Sequence, residues 1–205
     1  LAVRRLEAGK NVVEEIKKSG NNADVVYFNA EEEQTYTSMI QEVYKKENRI
    51  DILVNNFGTT DVKQDLDIWN GNTDKFFEIV NSNLKSVYLS CKNVISIMKE
   101  NGGGSIINIS SVGGKFPDIS RTAYGVSKAA INFLTKDIAV QYAHKNIRCN
   151  AIMPGFIATD ASMNNMSKEF LNMFLKTVPL GKAGQPDDIA NAVLYFASDL
   201  SAFVT

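Results

Sequence analysis

The sequence predicts an α/β fold in which helices flank a doubly wound parallel sheet. Three observations predict it. Short apolar strand segments alternate with longer helical segments along the whole chain. The apolar run at 50–55 resembles a parallel strand that is buried on both faces. The helical segments are long enough to form right-handed crossovers between parallel strands.

The first half of the chain begins with three strands and three helices. Gly20 follows the first helical segment, where a glycine commonly ends a helix. A polar loop that carries Trp69 precedes the longest helix. In chain order we expect a strand tail at 1–4, a helix at 6–19, a strand at 25–28, a helix at 32–47, a strand at 50–55, the loop at 60–72 and a helix at 73–100.

The second half continues the alternation. The glycines at 102–104 break the long helix, and they precede a strand, so they cannot present helix N–H groups to a phosphate. Pro154 and Gly155 end the last strand. We expect a strand at 105–110, a helix at 122–144, a strand at 147–153, and helices at 161–176 and 186–198.

The composition is that of an ordinary globular domain, with 44% hydrophobic residues, 22% charged residues and a net charge of −1. The chain lacks the excess of basic residues that would indicate nucleic-acid binding. No apolar run approaches the ~18–20 residues of a membrane helix. Cys91 and Cys149 are isolated, which predicts neither a disulfide nor a metal site and favours a reducing cytoplasm. We therefore expect a cytoplasmic protein with a small-molecule ligand and no membrane partner.

Polar residues follow the predicted strands. Because the carboxyl ends of parallel strands meet at one edge of an open sheet, we expect these residues to converge on a ligand site there. They are Arg4, Asn29, Asn55 and Asn56, Ser110 and Ser111, and Pro154 and Gly155.

Tyr124 and Lys128 lie one helical turn apart, and Ser111 stands thirteen residues before the tyrosine, at a strand end. A free tyrosine titrates near pH 10, and a positive charge within a few ångströms favours the phenolate. This pattern predicts a phenol that moves a proton near neutral pH, with a serine hydroxyl to hold a substrate oxygen. The same spacing recurs at Tyr88 and Lys92, inside an uninterrupted helix without a strand-end serine, and there we interpret it as a helix surface.

These residues resemble motifs of the short-chain dehydrogenase/reductase family along the whole chain. Asn55 to Gly58 resembles the Asn-Asn-Ala-Gly turn of the family, with phenylalanine in place of alanine. Asn83 matches its helix asparagine, and Ser111, Tyr124 and Lys128 match its serine, tyrosine and lysine. The segment from Pro154 to Thr159 matches its Pro-Gly-x-x-x-Thr motif.

The resemblance implies a Rossmann-like sheet and hydride transfer between a nicotinamide cofactor and a secondary alcohol or ketone. It implies Tyr124 as general acid/base, Lys128 as its partner, Ser111 as the residue that orients the substrate oxygen, and Asn83 as the holder of a water. The substrate cleft is expected beside Phe57, Phe156, the loop 113–121 and the segment 158–182. The implied cofactor contacts are Arg4, Asn29, Ala30, Asn56, Gly58, Tyr124, Lys128, Pro154, Gly155, Ile157 and Thr159.

The choice of cofactor depends on the end of the first strand. Relatives that prefer NAD have an acidic residue there, whereas this chain has Arg4 and Arg5. A guanidinium suits a 2′-phosphate, so NADP is expected over NAD. The alternative interpretation of both arginines is a solvated helix start. Asn29 is equally well explained as a strand-end cap, and Thr159 also as a helix N-cap.

Within the family, the chain is most similar to bacterial NADP-dependent 7α-hydroxysteroid dehydrogenases that act on bile acids, through segments such as 71–77 and 141–151. Alternatives are a reductase of 3-oxoacyl thioesters and a non-catalytic NADP-binding protein. Apolar residues on several faces of helices 73–100 and 122–144 favour the tetramer that is usual in the family. The resemblance also implies that residues 1–205 are one domain truncated at both ends, without the glycine-rich loop and the last strand.

Overall fold

Helices flank parallel β-sheet in the computed structural model, which describes residues 1–163 and 167–205, so the predicted fold class is confirmed. The strands are β1 (Ala2–Val3), β2 (Val26–Tyr27), β3 (Ile52–Asn55), β4 (Gly104–Ile109) and β5 (Ile147–Ile152). The helices are α1 (Leu6–Lys18), α2 (Gln34–Glu47), α3 (Thr73–Glu100), α4 (Thr122–Tyr142), α5 (Asp160–Met163), α6 (Lys168–Leu175) and α7 (Pro186–Ala197). Short 3₁₀ turns cover Val112–Gly114, Ala143–Lys145 and Asp199–Ser201.

The strands form two sheets within the described residues. One pairs β1 with β2, and the other has the order β3-β4-β5. Every pairing is parallel, with Ile106 beside Cys149 and Asn55 beside Asn108. The carboxyl ends of β3, β4 and β5 therefore lie at one edge.

The core lies between the three-stranded sheet and helices α2, α3 and α4. Ile106 and Ile107 are adjacent in β4, and both are fully buried. Because neighbouring strand residues point to opposite faces, both faces of β4 are covered. The helices contribute the other large buried side chains, which include Tyr36, Val94, Met98 and Ile131.

A buried chain of amides links the carboxyl ends of the strands to the helices. Asn55 Nδ2 donates to Asn108 Oδ1 at 2.8 Å, and Asn108 Nδ2 donates to Thr135 Oγ1 of α4 at 2.9 Å. Asn55 also contacts the Cys91 thiol of α3, and burial raises the pKa of that thiol to about 12. Buried amides of this kind cost free energy unless they form hydrogen bonds. These bonds therefore fix the position of the sheet relative to α3 and α4.

Most predicted helix boundaries agree with the structure because local signals set them. The Asn72 side chain accepts from Lys75 N at the start of α3, and Gly102 follows its end with φ of 85°. At α7, Pro186 occupies the first turn and Asp188 accepts from Gln185 N. The predicted helix 161–176 includes 164–166, which lie outside the described residues, and on either side of them the chain forms α5 and α6.

Two classes of site are absent from the described residues. No helix among them is long and apolar enough to cross a membrane. They contain no cluster of three or more His, Cys, Asp or Glu residues that could hold a metal ion.

Candidate active site

A cleft of about 220 Å³ opens at the carboxyl edge of β3, β4 and β5. Because the strands are parallel, the segments that follow them meet at this edge, where side chains from the first turns of α4 also line the cleft. The structure thereby brings together eight of the residues proposed from the sequence. The cleft is lined by Asn56, Gly58, Ile109, Ser110, Ser111, Tyr124, Lys128, Pro154 and Gly155.

Ser111 lies where β4 turns into the Val112–Gly114 3₁₀ turn. Its backbone is extended, and its Oγ accepts from Gly113 N at 3.1 Å. The next residue, Val112, donates its N–H to Pro154 O at 3.0 Å, which ties this turn to the segment after β5. The Gly113 N–H uses one acceptor position of the hydroxyl and leaves its donor position unused. The Ser111 proton can therefore point at a substrate oxygen.

Tyr124 and Lys128 lie one turn apart on α4. The Lys128 Nζ is 5.6 Å from the centre of the Tyr124 ring and donates to Ile109 O at 2.9 Å. Only 3% of Lys128 is exposed, and this burial lowers the pKa of its ammonium to about 8. No hydrogen bond from another described residue engages the Tyr124 hydroxyl, which leaves it available to a ligand in the cleft.

Asn83 is completely buried on α3, and its side-chain hydrogen bonds within the described residues go to partners other than Lys128. Its Oδ1 accepts from Thr59 N at 2.7 Å, and its Nδ2 donates to Thr59 O at 2.9 Å and to Ser127 Oγ at 3.0 Å. Asn83 thus connects the turn after β3 with the α4 residue next to Lys128. Its expected role in holding a water stays a prediction.

Two glycines, Gly58 and Gly114, allow the segments after β3 and β4 to approach Lys128 closely. A Cβ on Gly58 would lie 3.1 Å from Lys128 Nζ, so the glycine leaves open space above the ammonium. A Cβ on Gly114 would lie 2.6 Å from the Lys128 carbonyl carbon and 2.8 Å from Ala129 N. Real Cβ atoms do not approach backbone so closely, and only a glycine lets the Ser111 turn pack against α4.

Sequence reasoning missed several residues that hold this geometry. Gly114 and Ser127 had weak signals, since one follows Ser111 closely and the other precedes Lys128. The Ser110 hydroxyl donates to Lys128 O at 3.1 Å, a bond to α4 that the position of Ser110 at a strand end does not predict. Asp65 had no signal at all, because it is one of several aspartates in a polar loop, yet it is 4% exposed and contacts the start of α4.

The remaining proposed cofactor residues near the chain start lie away from this cleft. Arg4, Asn29 and Ala30 follow β1 and β2, which form the separate two-stranded sheet. Asn29 Nδ2 donates to Glu32 Oε1 at 2.8 Å, and Tyr27 donates to the same oxygen at 2.8 Å. The bond to Glu32 raises the pKa of Tyr27, whereas the nearby charge of Arg4 lowers it. Tyr27 thus connects the Glu32 carboxylate with the region that the charge of Arg4 influences.

The segment after β5 is held by local contacts. Ile157 forms an isolated bridge with Gly184, and Thr159 Oγ1 accepts from Ser162 N at 3.3 Å, as an N-cap does. Phe156 packs edge-on against Phe174 of α6, with ring centres 5.4 Å apart. These contacts place α6 over the exit from β5.

Two aromatic residues lie away from the cleft. Phe57 is not among the residues that line this cleft; its ring packs edge-on against Phe28, with ring centres 6.3 Å apart, and its place in the wall of the substrate cleft stays a prediction. Tyr88 is 49% exposed on the surface of α3, and Lys92 is exposed as well. That placement agrees with our interpretation of this second pair as a helix surface.

Comparison with known proteins gives one consistent family. A family model described as Enoyl-(Acyl carrier protein) reductase matches residues 1–205. The chain is 57% identical to a 7alpha-hydroxysteroid dehydrogenase of Clostridium sardiniense, with 100% of this chain and 78% of the relative covered. It is 52% identical to a protein of the same name from Paraclostridium sordellii, with 100% and 77% covered.

A solved structure resembles the chain over its whole length. It is a 7α-hydroxysteroid dehydrogenase complexed with NADH and 7-oxo glycochenodeoxycholic acid. The TM-score is 0.92 at 31% sequence identity, and the match covers 100% of this chain and 79% of the other. Fold and sequence thus agree on one family of oxidoreductases.

Proposed function

Because this chain belongs to the short-chain dehydrogenase/reductase family, a family of nicotinamide-dependent oxidoreductases, we propose that it is an NADP(H)-dependent 7α-hydroxysteroid dehydrogenase. Its substrate would be the 7α-hydroxyl of a bile acid, or the corresponding 7-ketone. The observation that carries the proposal is the shared cleft of Ser111, Tyr124 and Lys128, in which the tyrosine hydroxyl has no protein partner among the described residues.

In the oxidation direction, the substrate hydroxyl would lie between Ser111 and Tyr124. The hydroxyl proton passes to the phenolate oxygen of Tyr124, and the carbinol hydrogen leaves with its electron pair as the carbon becomes a ketone. The ammonium of Lys128 stabilises the phenolate, and Ser111 holds the substrate oxygen in place. The bound nicotinamide supplies the carbon that accepts or returns the hydride.

The residues of the cleft suit such a cofactor. Gly58 keeps open the space beside Lys128 Nζ, where a ribose hydroxyl would accept a hydrogen bond from the ammonium. Asn56, Pro154, Gly155, Ile157 and Thr159 would hold the nicotinamide end, and Asn29 and Ala30 the adenine end. Asn83 would support the turn that carries Gly58 through its bonds to Thr59.

We propose NADP rather than NAD because of Arg4. This arginine follows β1, and its charge reaches Tyr27 at the end of β2, where the 2′-phosphate would lie. A guanidinium fits a phosphate through paired N–H groups. Glu32 acts against this preference, because Asn29 and Tyr27 both donate to its carboxylate and keep it charged, so the proposal of NADP rests on Arg4.

The bile-acid substrate is supported by the names of the two relatives and by the ligand of the solved neighbour. The test is an oxidation screen of the intact protein with NADP⁺ and then NAD⁺ against 7α-, 7β-, 3α- and 12α-hydroxy bile acids. We expect oxidation of the 7α-hydroxyl and none of the 7β epimer. Inversion at that carbon would move its hydrogen away from the nicotinamide.

The rival substrate is a 3-oxoacyl thioester, which is supported by 35% identity to a 3-oxoacyl-[acyl-carrier-protein] reductase of Chlamydia pneumoniae. The same tyrosine, lysine and serine would serve this reaction, because the fold does not determine the substrate. Short β-hydroxy thioesters therefore belong in the screen. Preference for a thioester would overturn the steroid proposal and leave the reductase proposal intact.

We also propose a homotetramer that forms through α3 and α4. A groove of about 470 Å³ runs between these helices, and its walls include Leu84, Tyr88 and Phe133. Phe77 and Phe133 are each more than 60% exposed, which is unusual for phenylalanine on a monomer surface. Light scattering after size exclusion should give four copies, whereas a monomer at micromolar concentration would contradict the proposal.

Two buried free cysteines, Cys91 and Cys149, support a reducing compartment such as the cytoplasm as the location of this enzyme.

A further inference from the structure

We infer that Asp65 is a positioning residue for Tyr124, which it holds by capping the start of α4 from a different loop. This inference rests on the proposed function, in which Tyr124 transfers the proton. Asp65 belongs to the loop between β3 and α3, more than fifty residues before the tyrosine. It is 4% exposed although it is an aspartate in an otherwise solvated loop.

The start of α4 lacks a cap of its own. The first N–H groups of any helix have no partner within the helix and need one from elsewhere. The residue at the N-cap position is Arg121, which makes no side-chain cap hydrogen bond and has φ of 59°. Arginine rarely adopts this left-handed conformation, so contacts from outside the helix must hold it.

Asp65 supplies the missing cap. Its Oδ1 accepts from Ala123 N at 2.8 Å, and its Oδ2 accepts from Tyr124 N at 3.0 Å. Each oxygen therefore serves a different N–H group, and one of the two belongs to the tyrosine itself. A negative charge at a helix N-terminus is also favourable to the helix dipole.

The backbone of the same loop fixes the residues just before. Asp65 O accepts from Arg121 N at 2.9 Å. Leu66 O accepts from Thr122 N at 3.3 Å and from Thr122 Oγ1 at 2.9 Å. Three contacts with this loop thus set the entry of α4, and the carboxylate sets the position of the residue that carries the phenol.

The consequence concerns the distance between Tyr124 and Ser111. Ser111 is held by the turn after β4, in which Val112 N donates to Pro154 O, whereas Tyr124 is held at the first turn of α4 by Asp65. A shift of α4 by an ångström would move the phenol away from the serine hydroxyl. Displacements of that size cost about 10²-fold in rate even when the substituted residue is remote from the chemistry.

Asp67 provides a matched control from the same loop. Its Oδ1 accepts from Trp69 N at 2.9 Å and from Asn70 N at 3.1 Å, and its Oδ2 accepts from Asn70 Nδ2 at 2.8 Å. All these partners lie in the loop and none in α4. Asp67→Ala therefore disturbs the loop without removing the cap.

The experiment compares Asp65→Ala, Asp65→Asn, Asp67→Ala and the unaltered intact protein. It measures the single-turnover rate constant, the number of cofactor sites per chain and the melting temperature. Asp65→Ala should lower the rate constant about 10²-fold while the number of cofactor sites stays the same. Asp65→Asn keeps one oxygen acceptor, so its loss should be smaller, about 2- to 10-fold. Asp67→Ala should stay within about threefold of the unaltered protein.

A purely structural role for Asp65 gives another pattern. Partial unfolding would reduce the number of cofactor sites and leave the rate constant of the remaining sites unchanged. That result would overturn the inference, as would an equal loss of rate constant in Asp67→Ala. Equal rate constants in Asp65→Ala and the unaltered protein would overturn it too.

A separate measurement keeps this inference distinct from the proposed function. Amide hydrogen exchange at Ala123 and Tyr124 reports the cap without any substrate. Faster exchange at these two amides in Asp65→Ala, with no change in Asp67→Ala, is expected even if no alcohol is oxidised. Unchanged exchange would overturn the cap, whereas inactivity of the unaltered protein on every alcohol tested would overturn the function alone.

Discussion

The buried ammonium of Lys128 donates a hydrogen bond to the carbonyl oxygen of Ile109, with 2.9 Å between Nζ and the oxygen. Ile109 is the last residue of β4, so this hydrogen bond ties the α4 lysine to the strand end that precedes Ser111. The lysine is thereby held beside the tyrosine and is shielded from water. Burial lowers the pKa of Lys128 to about 8 because water no longer solvates the charge.

The stability of the protein should depend on this burial. The folded-state pKa of about 8 lies below the ordinary value of 10.5, so the unfolded chain binds more protons between these two pH values. The free energy of unfolding therefore rises with pH between about 8 and 10.5. Below a pH of about 8, the full cost of the buried Lys128 charge is present. Lys128→Met should raise the free energy of unfolding at pH 7 by roughly 1–3 kcal/mol.

Chemical denaturation at pH 7 and pH 10 measures this effect. The gain from Lys128→Met should shrink at the higher pH, and turnover should be lost at both. Lys136→Met, an exposed position on the same helix, is the control and should change stability little at either pH. A gain that does not depend on pH would contradict the charge explanation.

Removal of the Tyr124 hydroxyl should abolish proton transfer. Tyr124→Phe is expected to lower kcat by about 10²- to 10⁴-fold and to leave cofactor binding nearly unchanged. Steady-state kinetics with a bile acid, together with fluorescence titration of NADPH, checks both. Tyr88→Phe is the control from the second tyrosine–lysine pair and should stay within a few-fold of wild type. Similar losses in the two variants would refute the role of Tyr124.

Gly114 should tolerate no side chain. Gly114→Ala places a Cβ 2.6 Å from the Lys128 carbonyl carbon, and separating the turn from α4 should cost about 1–3 kcal/mol. Thermal unfolding measures the loss. Gly155→Ala is the matched comparison at the same edge, since its Cβ would meet nothing within 4 Å, and its loss of stability should be clearly smaller. Equal losses would show that the close packing at Gly114 is not the cause.

Substitution of Arg4 should change the preference for NADP over NAD. Arg4→Asp removes a charge-assisted contact with the 2′-phosphate, so the NADP⁺/NAD⁺ ratio of kcat/KM should fall about 10- to 100-fold. Arg5→Asp makes the same change of charge one residue later and should move the ratio much less. An unaltered ratio in Arg4→Asp would mean that other residues set the preference.

The fold class followed from the sequence because its signals are local. Alternation of apolar strands and amphipathic helices is visible in any window of the chain, and glycines at 20 and 102 mark helix ends. The family, which the comparisons confirmed, followed from short motifs such as Asn55 to Gly58 and Tyr124 to Lys128. Such motifs name residue types at fixed spacings. The tyrosine–lysine spacing occurs twice, and the strand-end serine before Tyr124 is what distinguishes it from Tyr88.

Tertiary structure decided what no spacing encodes. The edge-on contact of Phe57 with Phe28 joins the turn after β3 to the segment after β2, and no local pattern encodes it. Asn83 has hydrogen-bond partners in two distant segments, namely Thr59 and Ser127. The role of Asp65 depends on a loop that meets a helix fifty-eight residues later, at Ala123. The sequence by itself determined which groups can do chemistry, and long-range hydrogen bonds and close packing determined how they are held.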